Sequence, residues 1–98
     1  MENLSLIDNE FLRQFEVEKG KEKIILEYVR QERKIFLTKL KFNSELISDS
    51  EVNIFLGAVF NKIREYRLRI VPTSPEVAKF FRKNKNTYKD LIPIGISI

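Results

Sequence analysis

The sequence predicts an α/β domain with a mixed sheet, in the order βββ-α-β-α-(β): three antiparallel strands, then a helix crossover. Three observations lead there. Apolar residues alternate at strand spacing through the first forty residues. The period then changes near residue 50 to a 3.6-residue stripe over four turns. Finally, "RIVPTSPEVAKFF" stops a strand at Pro72 and opens a second helix at Ser74-Pro75-Glu76. The 98 residues form one domain, 1–98, with 1–10 as an N-terminal extension that is a short strand or an arm.

The elements follow in chain order. In "FLRQFEVE" (Phe11 to Glu18), Phe15 and Val17 share one side. Gly20 in "KGKE" supplies a positive φ for a turn. In "KIILEYVRQ", Ile24, Leu26 and Tyr28 share a face, and Ile25 and Val29 the other. In "RKIFLTKLKF", Ile35 and Leu37 fall on one face, and Phe36, Thr38 and Leu40 on the other. Both faces are largely apolar, so this strand is expected to be central and covered on both sides. Val52, Phe55, Leu56, Val59, Phe60, Ile63 and Tyr66 make the helical stripe. Ser48 and Glu51 stand at capping-box spacing before it, with Ser50 as an alternative cap. Leu68 to Val71 is a short buried strand. Ser74 precedes a first-turn proline and a first-turn acid, the order expected of a capped helix. Ile92, Ile94, Ile96 and Ile98 alternate, and "LIPIGISI" is predicted as a last edge strand.

Composition excludes several chemistries. There is no cysteine, so disulfides, cysteine-ligated zinc and thiol nucleophiles are absent. There is no histidine, which removes the commonest general base and metal ligand. A hydrophobic content of 43% argues for a folded globule rather than a disordered chain. No apolar run approaches the roughly 20 residues that span a bilayer, and "MENLSLIDNE" lacks a signal-peptide core; a cytoplasmic protein is expected. The net charge of +4 is mild, with acids interleaved among the basic groups. That pattern fits a solvated mixed surface or a face for a small polyanion such as a nucleotide-containing cofactor. A nucleic-acid groove would need clustering on one face.

Three segments resemble the short members of the GNAT acetyltransferase superfamily, over Phe15 to Leu91. They are "FEVEKGKEKIILEY", "IFLTKLKFNSELISDSEVNIFLGAVFNKIREYRLRIV" and "VPTSPEVAKFFRKNKNTYKDL". In the last, Pro72, Pro75, Val77, Ala78, Tyr88, Asp90 and Leu91 fall in step with the family's close. The resemblance implies a GNAT-like mixed sheet. It also implies acetyl-CoA bound between the end of the central strand (Leu40, Phe42) and the start of the long helix (Ser48, Asp49, Ser50, Glu51, Val52). No metal is implied. The family's turn is glycine-rich, whereas Ser48 and Ser50 stand here, beside the acids Asp49 and Glu51. Lys39-Leu40 replaces a His-Thr pair, and Ser74 replaces a cysteine.

Each candidate residue has two readings. Ser74 is a nucleophile if a base activates it, with Lys39 the candidate, or it is the cap of the helix from Pro75. Lys39 is a solvated strand residue or a cation beside a phosphate. "SDSE" is a capping box or a phosphate cradle. Tyr88 and Tyr28 are general acids for a departing thiolate or packed rings with a polar tip. The function expected is acetyl-CoA-dependent transfer to an unidentified amine by a monomer or weak homodimer. The alternative is a GNAT-like module that binds without chemistry. A small nucleic-acid-binding protein is disfavoured.

Overall fold

A computed structural model describes residues 5–95. Four strands, not three, precede the first helix, so the predicted order is corrected. The layout differs from the GNAT fold that the resemblance implies. The strands are β1 (Ile7–Asn9), β2 (Gln14–Lys19), β3 (Glu22–Gln31) and β4 (Lys34–Lys41). Helix α1 (Asp49–Glu65), strand β5 (Arg69–Pro72) and helix α2 (Pro75–Lys83) follow. The sheet runs β1-β2-β3-β4-β5. Strands β1 to β4 pair antiparallel and β5 pairs parallel to β4, as a helix crossover allows.

Strand β1 lies in the stretch read as an extension, a short strand or an arm, and it is a strand at Ile7–Asn9. Its three residues, Ile-Asp-Asn, are too few and too polar to show alternation. Tertiary bonds hold it instead. Asn9 Nδ2 donates to Glu16 Oε2 at 2.9 Å. Asp8 accepts from the Tyr28 hydroxyl at 2.5 Å and from the Tyr66 hydroxyl at 2.8 Å, tying β1 to β3 and to the end of α1. The predicted last strand is also corrected. Lys89–Leu91 is a single 3₁₀ turn, and Pro93 to Gly95 join no strand. Ile96 and Ile98, the rest of that predicted strand, lie outside the described residues.

The core lies on one face of the sheet. Phe15, Val17, Ile24, Leu26, Tyr28, Ile35, Leu37 and Ile70 are buried there, beneath the α1 stripe. Each such side chain stabilises the fold by about 1.5–3 kcal/mol when fully buried. Both helices lie on this face, where the Phe60 ring packs edge-on against Phe80 and Phe81 at 5.1 Å each. The opposite face is not covered as expected: Val29 is 40% exposed and Thr38 is exposed.

Strand β4 departs from its expected alternation as well. Tyr28 pairs with Leu37 but Glu27 pairs with Lys39, which leaves Thr38 as an extra residue, a β-bulge. An extra residue reverses the alternation beyond it. Leu40 therefore joins Ile35 and Leu37 on the core face, opposite Leu26, rather than sharing a face with Phe36.

Candidate functional site

The β4–β5 pairing ends early. Its register runs from Lys34↔Arg69 to Leu37↔Pro72, and two prolines then close β5 and open α2. The Leu37 carbonyl accepts the last bonds, from Thr73 N at 3.1 Å, Ser74 N at 3.0 Å and Thr73 Oγ1 at 3.0 Å. Strand β4 continues to Lys41 while the chain turns away into α2. The two elements part, and a cleft of about 420 Å³ opens between β4, α1 and α2. That size suits a small-molecule site.

The cleft is built from one face of each helix. Helix α1 contributes Asp49, Val52, Asn53 and Leu56, and α2 contributes Glu76, Lys79, Phe80 and Lys83. Both sets follow the spacing i, i+3, i+4, i+7. Leu40 and Phe42 extend the wall from β4, and Asn84 closes the far end. Leu40, Val52 and Leu56 are buried and form an apolar floor; Asp49, Asn53, Glu76, Lys79 and Lys83 are exposed on the rim.

Four residues implied by the resemblance line this cleft: Leu40, Phe42, Asp49 and Val52. Ser48, Ser50 and Glu51 do not. The "SDSE" turn is a complete capping box. Ser48 Oγ accepts from Glu51 N at 3.2 Å, and Glu51 Oε1 accepts from Ser48 N at 3.0 Å. Lys19 Nζ reaches the same carboxylate at 2.6 Å. The Lys19 ammonium first, and the Ser48 N–H second, pull the Glu51 carboxyl down to about 2.

The three catalytic candidates do not converge. Ser74 is 2% exposed, and its hydroxyl donates to Glu76 Oε1 at 3.3 Å. It occupies the N-cap position of α2 but makes no side-chain cap bond, so the expected capping is corrected. Lys39 is exposed and pairs with Glu27 across the strands, on the face turned away from the helices. It does not reach the buried Ser74. Tyr88 is buried against Phe60, ring centroids 4.9 Å apart, and does not line the cleft. Arg64 lies over its ring at 5.3 Å and grips Asp90 with two bonds, of 2.7 and 3.0 Å. The "TYKDL" segment is thus clamped to α1. Tyr28 is committed to Asp8, and burial followed by that bond pushes its hydroxyl above the ordinary tyrosine value. Such a group is a poorer proton donor.

The residues that the sequence reading missed are Asn53 and Leu56 on α1 and the whole α2 face. The first two were accessible, since they follow Asp49 and Val52 at helical spacing. The α2 face was not, because nothing in its pattern says that α2 lies beside α1 on the same side of the sheet. Among the described residues no cluster of three or more acids, histidines or cysteines could hold a metal ion. No helix among them is long and apolar enough to cross a membrane. No protein-family model matches the chain, and no curated protein matches it.

Proposed function

We propose that the cleft binds acetyl-CoA and that the chain is an acetyl-CoA-dependent N-acetyltransferase-like protein, passing the acetyl group directly to an amine. The observation that carries this reading is the parting of β4 from β5 beyond Leu37. It leaves Thr38 to Lys41 without a β5 partner, alongside an apolar floor. An unpaired strand edge presents backbone N–H and C=O groups. The pantetheine arm of CoA carries amides that can pair with such an edge as an added strand would. A free edge N–H would polarise the thioester carbonyl. The three GNAT-like segments are the reason for choosing acetyl-CoA among amide-bearing ligands; strand order plays no part in the choice.

The chemistry needs no side-chain nucleophile. The amine, as free base, attacks the thioester carbonyl carbon. A C–N bond forms, the C–S bond breaks, and CoA leaves as its thiolate. The attacking nitrogen loses a proton to water, and the thiolate takes one from water. Catalysis comes from holding the two reactants in line and from backbone donors. A cytoplasmic location and a monomer or weak homodimer belong to the same reading.

A second reading has its own support. The α1 N-terminus carries a complete capping box and two acids in its first turn, and Ser74, Lys39 and Tyr88 stand apart. On this reading the cleft binds its ligand without turning it over. Incubation with acetyl-CoA and a panel of primary amines separates the two. Free thiol release with an acetylated amine, seen by mass spectrometry, is the expected result. Binding without release supports the second reading. Absence of both overturns the proposal.

A further inference from the structure

We infer that the ligand's phosphates are held by Lys79 and Lys83 of α2 rather than by the N-terminus of α1; this rests on the acetyl-CoA reading of the cleft. A helix N-terminus is ordinarily the place for a phosphate, because it offers free N–H groups and partial positive charge. At α1 the first turn is acidic and already partly capped. The Glu51 carboxylate takes the Ser48 N–H, and Ser48 Oγ takes the Glu51 N–H. The nearby cation, Lys19, is committed to Glu51 at 2.6 Å. Asp49 adds an exposed carboxylate at the same edge of the cleft. An incoming phosphate would meet two acids beside a first turn whose Glu51 N–H is already taken.

Helix α2 offers the opposite environment. Lys79 and Lys83 are one turn apart, both line the cleft, and both are exposed. Neither has an ion-pair partner among the described residues. Glu76 is the acid placed to pair with Lys79 at i, i+3, but its carboxylate accepts the Ser74 hydroxyl instead. Like charges one turn apart on a helix repel, and a phosphate between them offsets that repulsion. Lysine ammoniums bind phosphate as point charges and need no fixed geometry. The resulting ligand has two ends. An amide-bearing arm lies on the Leu40, Val52 and Leu56 floor, and a phosphorylated head reaches the α2 rim. Because both ammoniums are exposed, salt screens their attraction for the phosphates, and Asp49 and Glu76 on the same rim weaken the binding.

The test is calorimetric titration with CoA and, separately, with adenosine 3′,5′-bisphosphate. It compares the native chain, the Lys79→Gln/Lys83→Gln variant, and a Lys21→Gln/Lys34→Gln variant with the same charge change away from the cleft. The α2 variant is expected to bind CoA about tenfold more weakly and with a shallower salt dependence. The Lys21/Lys34 variant should behave as the native chain, and Asp49→Asn should bind more tightly. Native-like CoA affinity in the α2 variant overturns the lysine assignment and leaves the acetyl-CoA reading standing. Bisphosphate held as tightly as CoA by the native chain overturns that reading, because the pantetheine arm then adds nothing. A native chain that takes up neither ligand overturns both.

Discussion

Two serines occupy equivalent places in the sequence, each one residue before a helix, and their bonds differ. Ser48 shares three hydrogen bonds with Glu51 across the first turn of α1. Ser74 gives its hydroxyl to Glu76 and leaves its helix uncapped by a side chain. Capping bonds are worth about 1 kcal/mol, so Ser48→Ala should lower the melting temperature by several degrees. Ser74→Ala should cost less than about 1 kcal/mol, since its partner carboxylate is exposed and regains water. It should also leave acetyl transfer unchanged. Thermal melts of the two variants check the order; a larger loss for Ser74→Ala contradicts it. The Glu51 carboxyl supplies a pH signature. Its folded value of about 2 lies below the ordinary 4.5, so its contribution is full above about pH 4.5 and is lost as pH falls toward 2. Between about pH 5 and pH 2 the native chain should therefore lose melting temperature more steeply than Glu51→Gln. Parallel curves would show that the Lys19–Glu51 pair adds nothing to stability.

At the level of elements, α1 is the best specified. Its cap, its stripe and its basic last turn (Lys62, Arg64) all agree with one helix, and it begins where its apolar period begins. Gly57 is the exception, a flexible residue in the helix interior. A Cβ added there would meet only the Tyr88 hydroxyl, at 3.5 Å, which is ordinary contact. Gly57→Ala should thus stabilise the chain by up to about 1 kcal/mol, read as a rise in melting temperature. A fall would mean that Tyr88 needs that space. Strand β4 is less legible. Its apolar alternation is visible, but the bulge at Thr38 depends on pairing with β3, and the alternation alone puts Leu40 on the wrong face. That single extra residue turns Leu40 into the cleft floor. Strand β1 is one of the two readings of the first ten residues, but its place in the sheet is not legible, since it depends on Asp8 meeting two tyrosines distant in sequence.

For the whole molecule, the change of period near residue 50 and the Pro72–Pro75 break were enough to place α1, β5 and α2. They could not say that both helices lie on one face of the sheet, because that is a property of packing between distant elements. The same limit divides the site. The β4 end and the start of α1 are adjacent in sequence and were readable together. The α2 wall, with its two lysines, enters only through the tertiary fold. The cleft joins these parts at the point where β4 leaves β5, and the functional account depends on a ligand entering there. Backbone amide chemical shifts of the labelled chain, followed during titration with acetyl-CoA, test this most directly. The account predicts shifts at Leu40 and Phe42, along Asp49 to Asn53, and along Lys79 to Asn84. Unmoved signals at saturating ligand, or shifts confined to Val29, Phe36 and Lys39 on the opposite face, would contradict it.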